Sequence, residues 1–202
     1  MKANRMNPPL VNWLSEKALL GSDVVVWNFS QIREFAQVGQ NTSVGSFVYI
    51  DAYVRVGKNC KIQNGALIYH PADIGDGVFI GPGVIFTNDH NPRAVNYGGE
   101  SKGSNDWQKV GVNVLEGASI GAGAICIAPI TIGRWSLIGA GAVVTKDIPD
   151  FALVVGNPAH QIGWVGHGGV RLLQKSDSIF ECPKTFKLYE VRNGLMAEVY
   201  IK

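Results

Sequence analysis

A six-residue period in the apolar side chains limits how this chain can fold more than any other feature of its sequence. Every sixth residue from Val26 to Phe86 is apolar, and ten of these eleven positions hold Val or Ile. The pattern breaks after Phe86 and resumes in another phase at six positions from Val114 to Val144. A period of six fits neither a helix, with about 3.6 residues per turn, nor an uninterrupted strand, with a period of about 2. It fits a short strand followed by a corner, three times in each coil of a parallel β-helix.

The glycine content supports the same fold. Glycine makes up 25 of the 202 residues, against a usual share of about 7%. It often stands directly after an apolar anchor, where the absence of a Cβ relieves the backbone at a corner. The seventeen anchors, at three per coil, predict an all-β solenoid of about six coils over residues 24–166.

Three segments fall outside the repeat. Residues 1–23, with Pro8-Pro9, are expected to form a lead-in that caps the first coil. Residues 87–113 form one protruding loop, and a long loop that leaves a regular solenoid is usually functional. Residues 167–202 are predicted to form a tail with a β-hairpin, because Asn193-Gly194 lies between two apolar runs.

Charge and cysteine content narrow the class of protein. The net charge is only +2 and there is no Lys/Arg run, which argues against a partner nucleic acid. No window of about 18 residues is apolar and uncharged throughout, and no signal peptide is evident, so we expect no membrane association and a cytoplasmic protein. The cysteines Cys60, Cys126 and Cys182 are too few and too scattered for a metal site, and we expect no metal.

Several short motifs in this chain match one family. They are Val26-Trp27-Asn28-Phe29, Lys61-Ile62-Gln63-Asn64, Phe86-Thr87-Asn88, Asn91-Pro92-Arg93, the run from Ile138 to Asp147, Val155-Gly156-Asn157-Pro158-Ala159 and Gln161-Ile162-Gly163-Trp164. With these motifs the chain resembles the hexapeptide-repeat acyltransferases, and among them the bacterial enzymes that acetylate the 3-amino group of nucleotide-linked sugars. Family members act on UDP-linked 2-acetamido-3-amino glucuronic acid or on dTDP-linked 3-amino-3,6-dideoxyhexoses. The resemblance covers about residues 24–166 and implies that the β-helix is left-handed.

The resemblance also implies a homotrimer that binds acetyl-CoA in the groove between neighbouring solenoids. The pantetheine arm would lie along small residues of the later coils, and the nucleotide end would meet a lysine and a proline turn. The cofactor-binding residues implied are Gly121, Ala122, Gly139, Ala140, Lys146, Asn157 and Pro158. Small residues allow close approach of a ligand, although corner glycines also serve the fold alone.

The loop carries the residues expected to do the chemistry. Attack of an amine on a thioester benefits from a proton acceptor, and His90 is the acceptor by residue type. The family often has another residue at the position of His90. In that version Asn88 would orient the amine and the proton would pass to the leaving sulfur. The predicted catalytic residues are therefore His90 and Asn88, with His70 as the rival base.

The acceptor is expected to be a nucleotide-linked amino sugar, with UDP and dTDP both open. The predicted substrate-binding residues are Asn64, Tyr69, His70 and Arg93. The planar guanidinium of Arg93 can donate two hydrogen bonds to a phosphate or carboxylate. Three alternatives stay open at this point: O-acetylation of a sugar hydroxyl on the same scaffold, a solenoid carbonic anhydrase with three histidines on zinc, and a non-catalytic structural solenoid.

Overall fold

The computed structural model describes residues 12–103 and 106–199, which form a triangular solenoid followed by a small antiparallel sheet. Three parallel sheets make the sides of the solenoid, which we name faces A, B and C. Face A contains β1 (Trp13–Leu14), β4 (Gln31–Ile32), β7 (Tyr49–Ile50), β10 (Leu67–Ile68), β13 (Ile85–Phe86), β16 (Ile125–Cys126) and β19 (Val143–Val144). Face B contains β2 (Leu19–Leu20), β5 (Gln37–Val38), β8 (Arg55–Val56), β11 (Asp73–Ile74), β14 (Val112–Val114) and β17 (Ile130–Ile132). Face C contains β3 (Val25–Val26), β6 (Ser43–Val44), β9 (Lys61–Ile62), β12 (Phe79–Ile80), β15 (Ser119–Ile120), β18 (Leu137–Ile138), β20 (Ala152–Val155) and the antiparallel β21 (His160–Trp164).

The six-residue period becomes the core because one side chain of each short strand points inward. Ile50, Ile68 and Ile120 are fully buried at such positions and stack on the equivalent residues of the coils above and below. Burial of an aliphatic side chain contributes about 1.5–3 kcal/mol, so the stacked anchors hold the coils together. The fold class predicted from the sequence, a left-handed parallel β-helix, is confirmed.

The solenoid has seven coils in its described part, one more than the sequence analysis predicts. Two of the additional edges lie at the N-terminal end, where β1 pairs with β4 and β2 pairs with β5, and a third, β20, follows the last anchor and pairs with β18. The boundary expected at residue 24 therefore lies inside the solenoid, and residues 12–23 belong to its first coil. The same step of six leads back from Val26 to Leu20 and Leu14, which was the missed signal. Pro8-Pro9 lies outside the described residues.

The long loop leaves the fifth coil between β13 and β14. It ends two residues earlier than expected, because Val112 and Asn113 already belong to β14 and pair with Ile130 and Thr131 of β17. The loop departs from the corner between faces A and B. It therefore places its side chains beside that corner.

The C-terminal sheet consists of β22 (Leu173–Gln174), β23 (Ile179–Glu181), β24 (Leu188–Arg192) and β25 (Leu195–Val199). The structure contains the hairpin expected at Asn193-Gly194: both residues have positive φ, 52° and 76°, and β24 pairs with β25 on either side of them. The hairpin is half of a four-stranded sheet with its own core. The ring of His167 joins this core to the solenoid, with centroids 4.6 Å from Trp135 and 5.1 Å from Phe151.

Candidate active site

Most of the residues expected to do the chemistry fall on one corner of the solenoid. The strand register aligns His70, Asn88, Ala128 and Lys146 in successive coils at the turn from face A to face B. We name this column the AB corner. His90 lies beside it, at the start of the loop, and Tyr69 precedes His70. Sequence positions 70 and 88, and 128 and 146, align because one coil spans eighteen residues between them, while the loop lengthens the coil between 88 and 128.

The backbone of the loop is held against the AB corner by three hydrogen bonds. The Asn88 side chain donates through Nδ2 to the carbonyl oxygen of His70 at 3.1 Å. Trp107, from the far end of the loop, donates through Nε1 to the carbonyl oxygen of Asn88 at 3.0 Å. The hydroxyl of Thr87 accepts from the backbone N–H of Ala128 at 3.0 Å. Asn88 is therefore fixed in place, with its Oδ1 left to accept a hydrogen bond.

His90 is exposed, and its contact with the corner determines which ring nitrogen carries the proton. Its Nδ1 lies 3.4 Å from the carbonyl oxygen of Ala128, a long hydrogen bond. A carbonyl oxygen only accepts, so this contact favours the neutral tautomer with its hydrogen on Nδ1. Nε2 then has a free lone pair, which is the form a general base needs.

His70 lies one coil below Asn88 and is held differently. Its backbone N–H donates to Oδ2 of Asp51 at 3.2 Å, and the hydroxyl of Tyr49 donates to Oδ1 of the same carboxylate at 2.9 Å. Desolvation lowers the pKa of His70, the positive charge of Lys109 lowers it further, and Asp51 opposes both.

Arg33 completes the polar network beneath His70. Arg33 lies 3.3 Å from the hydroxyl of Tyr49 and 3.9 Å from the carboxylate of Asp51. Burial and the hydrogen bond to Asp51 raise the pKa of Tyr49. The sequence analysis missed this network. A step of eighteen back from Tyr69 leads to Asp51 and Arg33, and that spacing was the available signal.

Arg93 is not brought into contact with the histidines. Its guanidinium donates to the carbonyl oxygen of the neighbouring Pro92 at 3.0 Å, and the side chain is exposed. Tyr69 is half-buried, and its ring lies 5.3 Å from that of Tyr49. The structure therefore places Tyr69 at the AB corner and Arg93 farther out on the loop.

The predicted cofactor residues lie on a different corner. Asn64, Ala122 and Ala140 stack in one column at the turn from face C to face A, together with Pro82. We name this column the CA corner. Ala122, Ala140 and Asn64 are exposed, and Oδ1 of Asn64 accepts from the backbone N–H of Ser46 at 3.0 Å. The small side chains leave a smooth ridge over the later coils.

Gly121 and Gly139 line this corner for a steric reason. A Cβ on Gly121 would lie 2.5 Å from the backbone nitrogen of Ala140, and one on Gly139 would lie 2.7 Å from a side-chain carbon of Val155. Glycine is thus required for one coil to stack on the next. These two positions are explained by the fold, and a ligand would contact their neighbours Ala122 and Ala140.

The last coil carries the remaining predicted cofactor residues. Lys146 is exposed at the AB corner and lines a cavity of about 160 Å³ with Asp147 and Gln161. Asn157 and Pro158 lie in the turn between β20 and β21, next to Gly156, whose carbonyl oxygen accepts from Val143 at 2.9 Å. Lys146 and the Asn157-Pro158 turn therefore lie at opposite ends of β19.

The predicted site is consequently divided between two corners of one chain. The AB and CA corners lie at the two ends of face A, about six residues or roughly 20 Å of extended chain apart. No group of three His, Cys, Asp or Glu side chains among residues 12–103 and 106–199 is arranged to hold a metal ion. The same ranges contain no helix with the length and hydrophobicity needed to cross a membrane.

The repeats, the fold and the corner columns define a hexapeptide-repeat β-helix. Two family models match within it: the bacterial transferase hexapeptide (six repeats) over residues 53–88 and the hexapeptide repeat of succinyl-transferase over residues 110–146. Residues 53–88 and 110–146 of the chain are thus similar to the hexapeptide repeats of bacterial transferases.

Curated relatives align with the repeat region. A dTDP-3-amino-3,6-dideoxy-alpha-D-galactopyranose 3-N-acetyltransferase of Aneurinibacillus thermoaerophilus is 38% identical over 89 residues, 44% of this chain and 45% of the relative. A serine acetyltransferase of Buchnera aphidicola is 35% identical over 116 residues, 57% of this chain and 42% of the relative. The chain thus spans less than half the length of these relatives.

A solved structure shows the same fold. The acetyltransferase domain of PglB from Neisseria gonorrhoeae superimposes with a TM-score of 0.50 and 22% identity, over 76% of this chain and 58% of that one. At this level of identity the likeness extends to the architecture alone.

Proposed function

We propose that this protein is an N-acetyltransferase that transfers the acetyl group of acetyl-CoA to the amino group of a nucleotide-linked amino sugar. The observation that carries the proposal is the AB corner, where Nδ1 of His90 contacts the carbonyl oxygen of Ala128, the residue that stacks on the fixed Asn88. The hexapeptide-repeat solenoid on which they stand supports it, as does the relative from Aneurinibacillus.

The reaction needs one proton to be moved. The sugar amine attacks the thioester carbonyl, so that a C–N bond forms and the C–S bond breaks. His90 accepts the proton from the amine at Nε2 and returns it to the sulfur of the leaving coenzyme A. Oδ1 of Asn88 accepts a hydrogen bond from the amine and orients it, because Nδ2 is already engaged with His70.

The remaining predicted residues are assigned to the two substrates. We propose that the pantetheine arm lies on Ala122 and Ala140, with Gly121 and Gly139 beneath it, and that Lys146, Asn157 and Pro158 meet the nucleotide end of acetyl-CoA. Tyr69, His70 and Arg93 would contact the nucleotide sugar from the AB corner and Asn64 from the CA corner. A lysine meets phosphate as a point charge, and the exposed position of Lys146 supports that role.

The sugar position and the nucleotide rest on similarity. The relative from Aneurinibacillus is a 3-N-acetyltransferase of a dTDP-linked 3-amino sugar, and we propose a C3 amine here too. UDP-linked sugars stay in the test panel, because the sequence motifs resemble enzymes of both kinds. The three cysteines are unpaired in the structure, which is typical of a reducing compartment and supports a cytoplasmic site of action.

A homotrimer would unite the two corners. The outward side chains of face A form an apolar column in the coils that carry the site: Leu67, Ile85, Ile125 and Val143. On face B the equivalent positions are polar: Arg55, Asp73, Asn113 and Thr131. We propose that face A packs against a second copy, so that the CA corner of one copy adjoins the AB corner of the next and acetyl-CoA lies between them.

The test is release of thiol from acetyl-CoA with a panel of UDP- and dTDP-linked 3-amino sugars and their hydroxyl twins. Turnover with one amine and none with its hydroxyl twin is the expected result. No turnover with any acceptor, together with no binding of acetyl-CoA, would contradict the proposal and favour a non-catalytic structural solenoid.

O-acetylation of a sugar hydroxyl is the second candidate. The free Nε2 of His90 favours it specifically, because removal of a proton from a hydroxyl depends more on a base than does attack by an amine. Turnover with a hydroxyl twin and none with the amine would establish this alternative.

A further inference from the structure

One buried nitrogen has no hydrogen-bond partner in the described part of the chain. Among the buried side-chain nitrogen and oxygen atoms of residues 12–103 and 106–199, Nδ1 of His70 alone lacks one. The ring is packed edge-on against Tyr53, with centroids 5.8 Å apart. The other ring nitrogen, Nε2, also makes no hydrogen bond to residues 12–103 or 106–199, and since it is not among the buried unpartnered atoms it reaches the surface.

The unpartnered Nδ1 determines the tautomer of His70. A buried N–H without an acceptor costs about 1–3 kcal/mol, more if the group is charged. An acceptor without a donor is the milder of the two cases, since orphaned buried N–H groups are rarer in proteins than under-satisfied carbonyl oxygens. His70 is therefore favoured as the neutral ring with its hydrogen on Nε2.

The charged groups around His70 agree with a neutral ring. Lys109 places a positive charge nearby, which disfavours the imidazolium. Asp51 is the nearby carboxylate, and its two oxygens already accept from the backbone N–H of His70 and from the hydroxyl of Tyr49. The burial that leaves Nδ1 without a partner also lowers the pKa of His70.

We propose that His70 presents a neutral Nε2–H donor to an oxygen atom of the acceptor sugar and takes no part in proton transfer. This inference rests on the proposed function and deepens it. His70 lies one coil below Asn88, whereas Ala122 and Ala140 continue upward into the later coils. The donor therefore lies on the sugar side of the amine, away from the thioester.

Two histidines on one corner then have complementary roles. His90 has its hydrogen on Nδ1, toward Ala128, and offers a lone pair. His70 has its hydrogen on Nε2 and offers a donor. The rival base named from the sequence is thereby assigned to binding.

The first test reads the tautomer directly. Nitrogen-15 shifts of the histidine rings are recorded on the full-length protein from pH 5.5 to 8.5, and the His70 signals are identified by their loss in His70→Gln. We expect an unprotonated Nδ1 and a protonated Nε2 for His70, still neutral at the pH where an ordinary histidine is half protonated. A hydrogen on Nδ1, or ordinary titration, would overturn the inference.

The second test compares two amide replacements. Glutamine extends far enough to place an amide nitrogen near the position of Nε2, whereas asparagine reaches only as far as Nδ1. His70→Asn should raise the KM for the nucleotide sugar about tenfold, the loss of one hydrogen bond, while His70→Gln stays within about threefold. The KM for acetyl-CoA should be unchanged in both, and their melting temperatures should agree.

The outcomes separate this inference from the proposed function. Equal effects of the two replacements, or a fall in kcat with loss of a pH-dependent limb in His70→Gln, would show that His70 is not a donor. If the unmodified protein is inactive with every amino sugar, both the proposed function and the contact of His70 with the sugar are contradicted. An active enzyme with a hydrogen on Nδ1 of His70 would overturn this inference alone.

Discussion

His90 and His70 show how neighbouring groups assign different chemistry to the same residue type. Nδ1 of His90 faces the carbonyl oxygen of Ala128, and a carbonyl oxygen needs a donor. Nδ1 of His70 is buried with no partner, and such a place disfavours a donor. Free imidazole exchanges between both tautomers, so these fixed backbone and packing contacts decide which nitrogen faces the substrate.

Replacement of His90 provides the direct test of the proton acceptor. His90→Ala should lower kcat by about 10²–10⁴, the usual contribution of a general base, with little change in the KM for acetyl-CoA. A loss of less than tenfold would assign the proton to the leaving sulfur directly and leave Asn88 as the residue that orients the amine.

The residues of the loop could be predicted from the sequence, whereas their support could not. Asn88 and His90 stand at the point where the six-residue period breaks, so they are visible without a structure. Tyr49 lies in β7 and Asp51 directly follows it, in an unbroken stretch of the repeat. The step of eighteen from Asp51 to Tyr69 is visible in the sequence, but the hydrogen bonds that these side chains make across coils depend on side-chain geometry that the repeat does not show.

At the level of the elements, the corners combine two kinds of glycine. Gly121 has no space for a Cβ, because the backbone of Ala140 lies against it. Gly123, two residues later, has a φ of +67° and nothing within 4 Å of its Cβ position. The first glycine serves the contact between coils, and the second serves the conformation of the turn.

This difference predicts unequal costs for two alanine substitutions in one corner. Gly121→Ala forces two backbones apart and should lower the free energy of unfolding by about 1–3 kcal/mol, the usual cost of overpacking, or by more. Gly123→Ala meets only the backbone preference for negative φ, at about 1 kcal/mol. Urea denaturation of both variants checks the order, and an equal or reversed loss would contradict this account of the coil contact.

The strands whose inward side chain is Val or Ile could be predicted from the sequence. Val and Ile at every sixth position define the coils, but the first coil uses Leu14 and Leu20, which are about 40% exposed at the open end of the solenoid. A sequence search that accepts only Val and Ile as anchors therefore misses the first two edges of the first coil. The C-terminal sheet is only partly visible in the sequence, because its hairpin has an Asn-Gly turn while β22 and β23 are short and irregular.

For the whole molecule, the main consequence of the fold is the separation of the two corners. Asn88 and His90 stand at one end of face A, and Ala122 and Ala140 stand at the other. The outward side chains of face A, between the two corners, are apolar, whereas the equivalent outward side chains of face B are polar. Under the proposed function, one chain would provide two half-sites, and the apolar outward column of face A lies between them.

A charge placed in that column should dissociate the assembly. Ile125→Lys introduces a cation at the centre of face A, where burial against a second copy would leave it unpaired. Thr131→Lys adds the same charge on face B of the same coil and is the matched control. Light scattering should find single chains for Ile125→Lys and trimers for Thr131→Lys and the unmodified protein. Trimers in all three would place the interface elsewhere.

A shared site also predicts that two inactive variants restore each other. His90→Ala disables the AB corner, and Ala140→Trp blocks the exposed ridge of the CA corner. In trimers assembled at random from equal amounts of both, about one interface in four joins two intact corners. Activity should therefore return to about a quarter of that of the unmodified protein after joint refolding, but not after simple mixing of preformed trimers. If joint refolding restores nothing while acetyl-CoA still binds to His90→Ala, both corners must act within one copy, and the roughly 20 Å across face A must then be spanned by the substrates themselves.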